Sequence, residues 1–462
     1  MYYNYHIDKY LTNKLHIQNV MTGVEFIFKL IDKIIELINM CLWNVFLPVF
    51  IIVALYITYR TVKFIDTISV KDKTMWEFSK IKNSLFVSLS SKIGTGAIIG
   101  VLAAMRKASY NGIGGEGIVL WVIIGMLLLV PVTYSEVLFS MITKKTPKDF
   151  IAYNVTDKAS VVYSVGLTIL YSFGFVGFQL TGIQSIIKIV FKQKFNYEFT
   201  YSSMMFCVIL PLIIVVSLIV ILKSYKLFIN VLGFLISFMV LAYVIFFIAF
   251  LVSTADFIPK YLVLVWNDFI RFRSASIGIP IGFIVGLQRI IQTSETALGT
   301  SALSSADAKN SPRREAIIQV ISTVITIFIA VVITSYVFTY GRYNVSGINL
   351  SANGFERILA YLRSAISVTG YWGGMVIIIF FILSGFTTVL GSFHFLNRTM
   401  SLSENRRILF YISLITLSGI LSISNFDTIF EVVNLLMFIV SFINILAMLI
   451  FAIKNIYDFK IR

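Results

Sequence analysis

The chain has 462 residues, of which 58% are hydrophobic and only 13% charged, with a mean hydropathy of +0.90. A soluble domain carries roughly 25% charged residues, so this composition excludes an ordinary soluble protein and points to a polytopic helical membrane protein. The net charge of +16 then reads as basic loops against membrane lipid, and with no folded basic domain present nucleic acid is not expected as a partner.

Residues 1–40 mix Lys, Asp, Asn and Tyr with Ile and Leu. They carry no early apolar run of the kind a cleaved leader needs, and 24–40 reads as an amphipathic segment on the membrane surface. The rest, 41–462, reads as one transmembrane domain. Eleven apolar spans follow in order, at 42–59, 84–105, 117–141, 161–190, 204–222, 227–252, 277–301, 316–338, 372–395, 408–423 and 429–453. Pro131 should kink the third. Between the eighth and ninth, 355–367 reads as a short surface helix. With the first helix running from outside to inside, loops on one side carry about 21 Lys and Arg and those on the other about 15. That bias puts the N-terminus outside and the C-terminus in the cytoplasm.

The second span is the unusual one. From Ser90 it reads Ser-Ser-Lys-Ile-Gly-Thr-Gly-Ala-Ile-Ile-Gly-Val, with Gly94, Gly96 and Gly100 close together and Lys92 among apolar neighbours. A helix that unwinds in mid-membrane bares amides and carbonyls, which is tolerated only where they line a cavity and meet a ligand or ion. Five spans later, Leu298-Gly299-Thr300-Ser301-Ala302 echoes Ile93-Gly94-Thr95-Gly96-Ala97. Two interrupted helices at corresponding places in two five-helix halves point to a transport site between them.

Around the second interruption, Arg289 and Glu295 lie in apolar context and should face the protein interior, with the hydroxyls of Thr293, Ser294 and Thr296 beside the break. Lys92 has several open accounts. It can pair with Glu295 or Glu136, stand in the place of a metal cation, carry a coupling proton, or simply snorkel. Ser384, Thr387 and Thr388 share a helix face and offer the hard oxygens a sodium ion needs, or else bond back to their own helix. Gln179, Thr181 and Gln184 form a polar strip that suits a cavity wall or an interhelical contact, and Tyr171 and Gln179 could face one cavity. Cys41 and Cys207 have no partners at metal spacing and read as inert packing residues; the histidines are scattered. No nucleotide-binding loop and no paired catalytic groups are found, so neither a primary pump nor a membrane-embedded enzyme is expected.

These pieces together resemble the alanine or glycine:cation symporter family, a divergent branch of the amino acid-polyamine-organocation superfamily. The family's Gly-Thr-Gly-Asn-Ile-Ala-Gly-Val is similar to Gly94 through Val101. Its Ala-Glu-Val looks like Ser135-Glu136-Val137. Its Arg-Gly-x-x-Ser-Asn-Glu-Ala-Gly-Leu-Gly-Ser-Ala is matched here by Arg289, Glu295, Leu298 and Gly299, and its Phe-Ser-Thr-Ile-Leu-Gly appears as Phe386 to Gly391. The resemblance implies an all-α, LeuT-like five-plus-five inverted-repeat bundle with one extra N-terminal helix. It implies a plasma-membrane, monomeric symporter of a small neutral amino acid coupled to sodium, with no covalent cofactor. Substrate would meet Gly94, Thr95, Gly96, Ala97, Gln179, Thr293, Ser294, Glu295 and Thr296. Sodium would meet the carbonyls of Ile93 and Ser384 and the hydroxyls of Thr387 and Thr388.

The departures are specific. Ala97 stands where the family has Asn, and Ser294-Glu295-Thr296-Ala297 replaces Asn-Glu-Ala-Gly. The loop after the third span is only Thr146 to Phe150, without the family's Gly-Gly-Pro-Met-Tyr-Tyr. Lys92 adds a positive charge beside the expected ion, where like charges about 4 Å apart repel by roughly 1 kcal/mol in water and several times that in a drier site. The alternative expectation is therefore proton-coupled or uncoupled transport in which Lys92 replaces the sodium ion. A channel-like or structural membrane protein is the remaining rival.

Overall fold

A computed structural model describes residues 33–65 apart from 36, 78–110, 113–222, 225–271, 280–350, 354–423 and 426–454. The described chain is helical almost throughout, since in a bilayer each backbone amide and carbonyl must be bonded within its own segment. The first helix, α1 (Lys33–Ile65), is followed by the two halves of an interrupted span, α2 (Phe78–Lys92) and α3 (Thr95–Ala108). Then come α4 (Ile118–Thr143), the short α5 (Pro147–Asn154), α6 (Asp157–Phe195), α7 (Tyr201–Ile221), α8 (Tyr225–Ser253) and α9 (Ile258–Phe269). The second interrupted span is α10 (Ile281–Ser294) and α11 (Thr300–Ser304). The chain continues with α12 (Pro312–Asn344), α13 (354–369), α14 (371–399), α15 (Glu404–Leu421) and α16 (Phe426–Lys454).

Eight described helices are long and apolar enough to cross a bilayer, and α2 with α3, bent by 45° at their break, makes nine. The seventh and tenth expected spans, α10–α11 and α15, are present as helices but fall short of that test. α10 and α11 are only 14 and 5 residues long on either side of their break, and the 18 residues of α15 include Glu404, Arg406 and Arg407. α4 runs unbroken through Pro131.

Several boundaries differ from the sequence reading. Described residues 33–40 are already part of α1, so the first span starts well before residue 42; the remainder of the expected surface segment lies outside the described residues, as do 272–279 at the start of the seventh span. The helix expected on the surface at 355–367 is instead seated on the protein. Tyr361 is fully buried with its hydroxyl 2.6 Å from that of Tyr243, and Ser364 donates to the Val337 carbonyl. It turns into α14 at Gly370, whose φ of 64° and ψ of −162° break the helix. Cys41 and Cys207 are exposed on the outer faces of α1 and α7 rather than packed inside.

Contacts between distant segments sort the loops into two ends. At one end Arg313 donates to the Ile65 carbonyl, Lys148 to Ser401, and Arg398 pairs with Asp307. This end gathers the segments that the charge count placed together. At the other end the Asp268 carboxylate accepts from the Gly115 and Gly117 amides at 2.8 and 2.9 Å, and Arg342 pairs with Glu116 at 2.6 Å. Arg342 also donates to the Gly114 carbonyl. Glu116 is 1% exposed, so an Arg342→Ala change takes the paired cation from a buried carboxylate, and breaking a buried pair typically costs about 3–5 kcal/mol. We expect that change to lower the melting temperature of the purified protein clearly, and Lys192→Ala, which removes a solvent-exposed pair with Glu198, to leave it unchanged.

Candidate functional site

The two interruptions face each other. At the first, α2 ends with Lys92, the Ile93 amide still bonds the Leu89 carbonyl, and Gly94 is extended at φ −117°, ψ −179° before α3 begins. The α3 start has no side chain of its own as a cap. Its first amide is taken from across the bundle instead. Gln179 Oε1 accepts from the Thr95 amide at 2.6 Å and from the Thr95 hydroxyl at 2.8 Å. The glycines permit this approach. A Cβ at Gly94 would fall about 2.5 Å from the Gln179 side chain, and one at Gly96 about 2.7 Å from the Phe178 ring.

At the second interruption, Glu295 and Ala297 take the left-handed conformation at φ 56° and 67°, followed by Gly299 at 86°. For residues with a Cβ this is a strained choice that surrounding structure must hold. What holds it is visible. The Glu136 carboxylate accepts from the amides of Gly299 at 3.1 Å and Ala302 at 3.4 Å and from Asn444 at 3.1 Å. Asn444 also donates to the Ala297 carbonyl at 2.9 Å, and Tyr163 to the Leu298 carbonyl at 2.7 Å. Glu136 therefore clamps the unwound segment, and it does not reach the cavity.

Between the interruptions lies a cavity of about 360 Å³, its mouth included, lined by Ser91, Lys92, Gly94, Gly96, Ala97, Phe175, Phe178, Gln179, Gln292, Thr293 and Glu295. Of the expected substrate residues, Gly94, Gly96, Ala97, Gln179, Thr293 and Glu295 line it. Thr95 stands just behind, holding Gln179. Ser294 and Thr296 do not line it: they bond to each other at 2.8 Å, and Thr296 meets Thr133 at 3.0 Å. Arg289 is buried with its guanidinium packed on Gly100 of α3, away from the lining. Thr181 and Gln184 bond Ser422 and leave Gln179 as the one member of that strip in the cavity wall. The Tyr171 hydroxyl faces Glu295 and Thr300 without reaching hydrogen-bond geometry with either.

Sequence reasoning missed Phe175, Phe178, Gln292 and Ser91. The rings belong to an apolar stretch with nothing to distinguish them from packing residues. Phe175 closes a π-helical turn, Leu170–Phe175, of the kind that often marks a functional site, and no sequence rule used above detects such a turn.

The expected ion ligands gather elsewhere on α2. Thr388 donates to the carbonyls of Ser90 and Ser384, each at 2.9 Å, and Thr387 donates to the Ser384 carbonyl at 3.1 Å. The carbonyl brought to this group is thus that of Ser90, three residues before Ile93. Lys92 points the other way, to Ser301 and Thr323, at 3.2 Å each. Glu295 accepts from Ser91 at 2.9 Å.

The profile of the sodium:alanine symporter family matches residues 28–460. The chain belongs to the sodium:alanine symporter family. It is accordingly a multi-pass membrane protein and a cation-coupled transporter. No curated protein matches it in a sequence search. Among solved structures, it is similar to a Na⁺-coupled sialic acid symporter in a substrate-bound, outward-open state, at 13% identity, over 83% of this chain and 79% of that one, with a TM-score of 0.49; so distant a likeness bears on neither site.

The clamp has a measurable consequence. Glu136→Ala leaves two buried amides without their acceptor and takes one of the two oxygens to which Asn444 donates, at about 1–3 kcal/mol each. We expect a large loss of thermal stability, and a smaller one for Asn444→Ala, which leaves the two amide contacts to Glu136 in place.

Proposed function

We propose that the protein is a sodium-coupled symporter of a small neutral amino acid, alanine or glycine, working by alternating access as a monomer in the plasma membrane, with its N-terminus outside. One observation carries the substrate reading: the cavity has two walls of opposite polarity. On one side is the N-terminal turn of α3, where helix amides favour a carboxylate. The Thr95 amide is held there by a side-chain carbonyl oxygen that a substrate carboxylate can replace. On the other side are Glu295, Gln292 Oε1 and Thr293 Oγ1, and the last two have no hydrogen-bond partner among the described residues. Unpaired buried oxygens suit an ammonium. Phe175 and Phe178 limit the side chain between these poles to a small one.

Sodium is assigned to the group formed by the carbonyls of Ser90 and Ser384 with the hydroxyls of Thr387 and Thr388. Hard oxygen donors of this kind suit a small cation. The ion would tie α2 to α14 beside the first interruption, and so bias whether the substrate pocket is formed. The charge bias of the two ends supports a cytoplasmic location for the end that holds Lys148, Arg313 and Arg398.

Reconstituted protein should accumulate radiolabelled alanine or glycine when a sodium gradient is imposed. Thr388→Ala should raise the half-saturating sodium concentration at least about tenfold, the loss of roughly 1.4 kcal/mol from one ligand. Uptake driven by a proton gradient and indifferent to sodium would replace the sodium assignment. Ion current without uptake of any neutral amino acid would sink the symporter reading. For orientation, in a Cys41→Ser, Cys207→Ser background, Tyr197→Cys should react with an impermeant maleimide in intact cells and Ser401→Cys only after lysis; the reverse pattern inverts the topology.

A further inference from the structure

Lys92 is a buried charge for which the site described above has no role. It closes α2, it is 4% exposed, and its ammonium reaches between α11 and α12 to the hydroxyls of Ser301 and Thr323. The Glu295 and Glu136 carboxylates, 2% and 4% exposed, are the charges that act on it most strongly. A cation at the last turn of α2 also meets the partial negative charge of carbonyls bared by the break. The place is therefore built for one positive charge, with hard oxygens around it.

It is not the place assigned to sodium. Ser90 and Lys92 are two residues apart on one helix, about 200° around its axis. Ser90 faces α14, where its carbonyl accepts from Thr388 and its side chain abuts Gly391. Lys92 faces α11 and α12. One helix end thus separates two positions for a cation, with the cavity-lining Glu295 beside the second.

We propose that the Lys92 ammonium is a tethered cation permanently occupying a second monovalent-cation position, formed by the hydroxyls of Ser301 and Thr323 with the Glu295 carboxylate nearby, so that this protein needs one fewer free ion than the geometry could hold. The physiological meaning rests on the symporter reading, but ion binding can be measured without transport. Removing the side chain to Ala leaves the oxygens and the negative charge in place, with room for an ion. Removing it to Met fills the room with an apolar chain.

The test is ²²Na⁺ binding to purified protein in detergent, with choline as the replacing cation. Lys92→Ala is expected to bind one more sodium ion per protein than the parent, and Lys92→Met the same number as the parent. The additional ion should be lost when Ser301→Ala and Thr323→Ala are combined with Lys92→Ala. An unchanged count in Lys92→Ala, or an additional ion that survives loss of both hydroxyls, overturns the proposal. Should Lys92→Ala fold only in sodium and not in choline, that requirement supports it. Should it fold in neither, Lys92→Ser, which keeps a polar atom at the position, is titrated instead and decides by the same count. A parent that binds no sodium refutes the assignment to Ser384, Thr387 and Thr388, while the difference between parent and variant still judges the tethered cation.

Discussion

A carboxylate on α4, Glu136, holds open the place where α10 stops and α11 starts. In the hydrocarbon core an unwound stretch has no water to satisfy its peptide groups, so some side chain must do so. Glu136 supplies acceptors for the Gly299 and Ala302 amides, and Asn444 and Tyr163 supply donors for the carbonyls of Ala297 and Leu298. With those contacts in place, Glu295 and Ala297 can be kept in a conformation that residues with a Cβ seldom adopt. The strain falls beside the cavity, which is where a segment that changes shape during transport would be found.

The first interruption is supported differently. α3 has no cap from its own sequence, and Gln179 on α6 reaches in to take the Thr95 amide. The bond that completes this helix start is also the one that the substrate carboxylate of the proposed function would displace. The two breaks are thus unequal: one is fastened by groups that stay out of the cavity, the other by a side chain that lines it. On the proposed reading, ligand binding at the second kind would rearrange a side chain, and the firm break opposite would give the site a fixed wall.

The charges around these breaks form a local set. Glu295, Glu136 and Lys92 are all buried, and each carboxylate lies near enough to Lys92 to act on its charge. Buried charges persist where they are paired or solvated by fixed dipoles. Here fixed hydroxyls do much of this, from Ser91 to Glu295 and from Ser301 and Thr323 to Lys92. Ala97, standing where the family has Asn, removes a polar group from the same cavity, and Lys92 adds one at its edge. The two departures together move polarity from α3 to the end of α2.

Much of this was legible in the chain. Apolar runs of bilayer length mark the spans, because a membrane-crossing helix has few other compositions open to it. Clustered glycines with a lysine among them announced the first break, and hydroxyls around Glu295 the second. Gly94, Gly96, Ala97, Gln179, Thr293 and Glu295 were named from sequence and do line the cavity. Local composition could not tell that Ser294 and Thr296 bond to each other, that Glu136 fastens a break and not a ligand, or that Arg289 lies against Gly100. Nor could it tell which side of α2 Lys92 faces. Those outcomes depend on the rotation of each helix about its axis and on which neighbour it meets there. Spacing along the chain sets which residues share a face; only packing between helices 100 and 200 residues apart decides what that face touches.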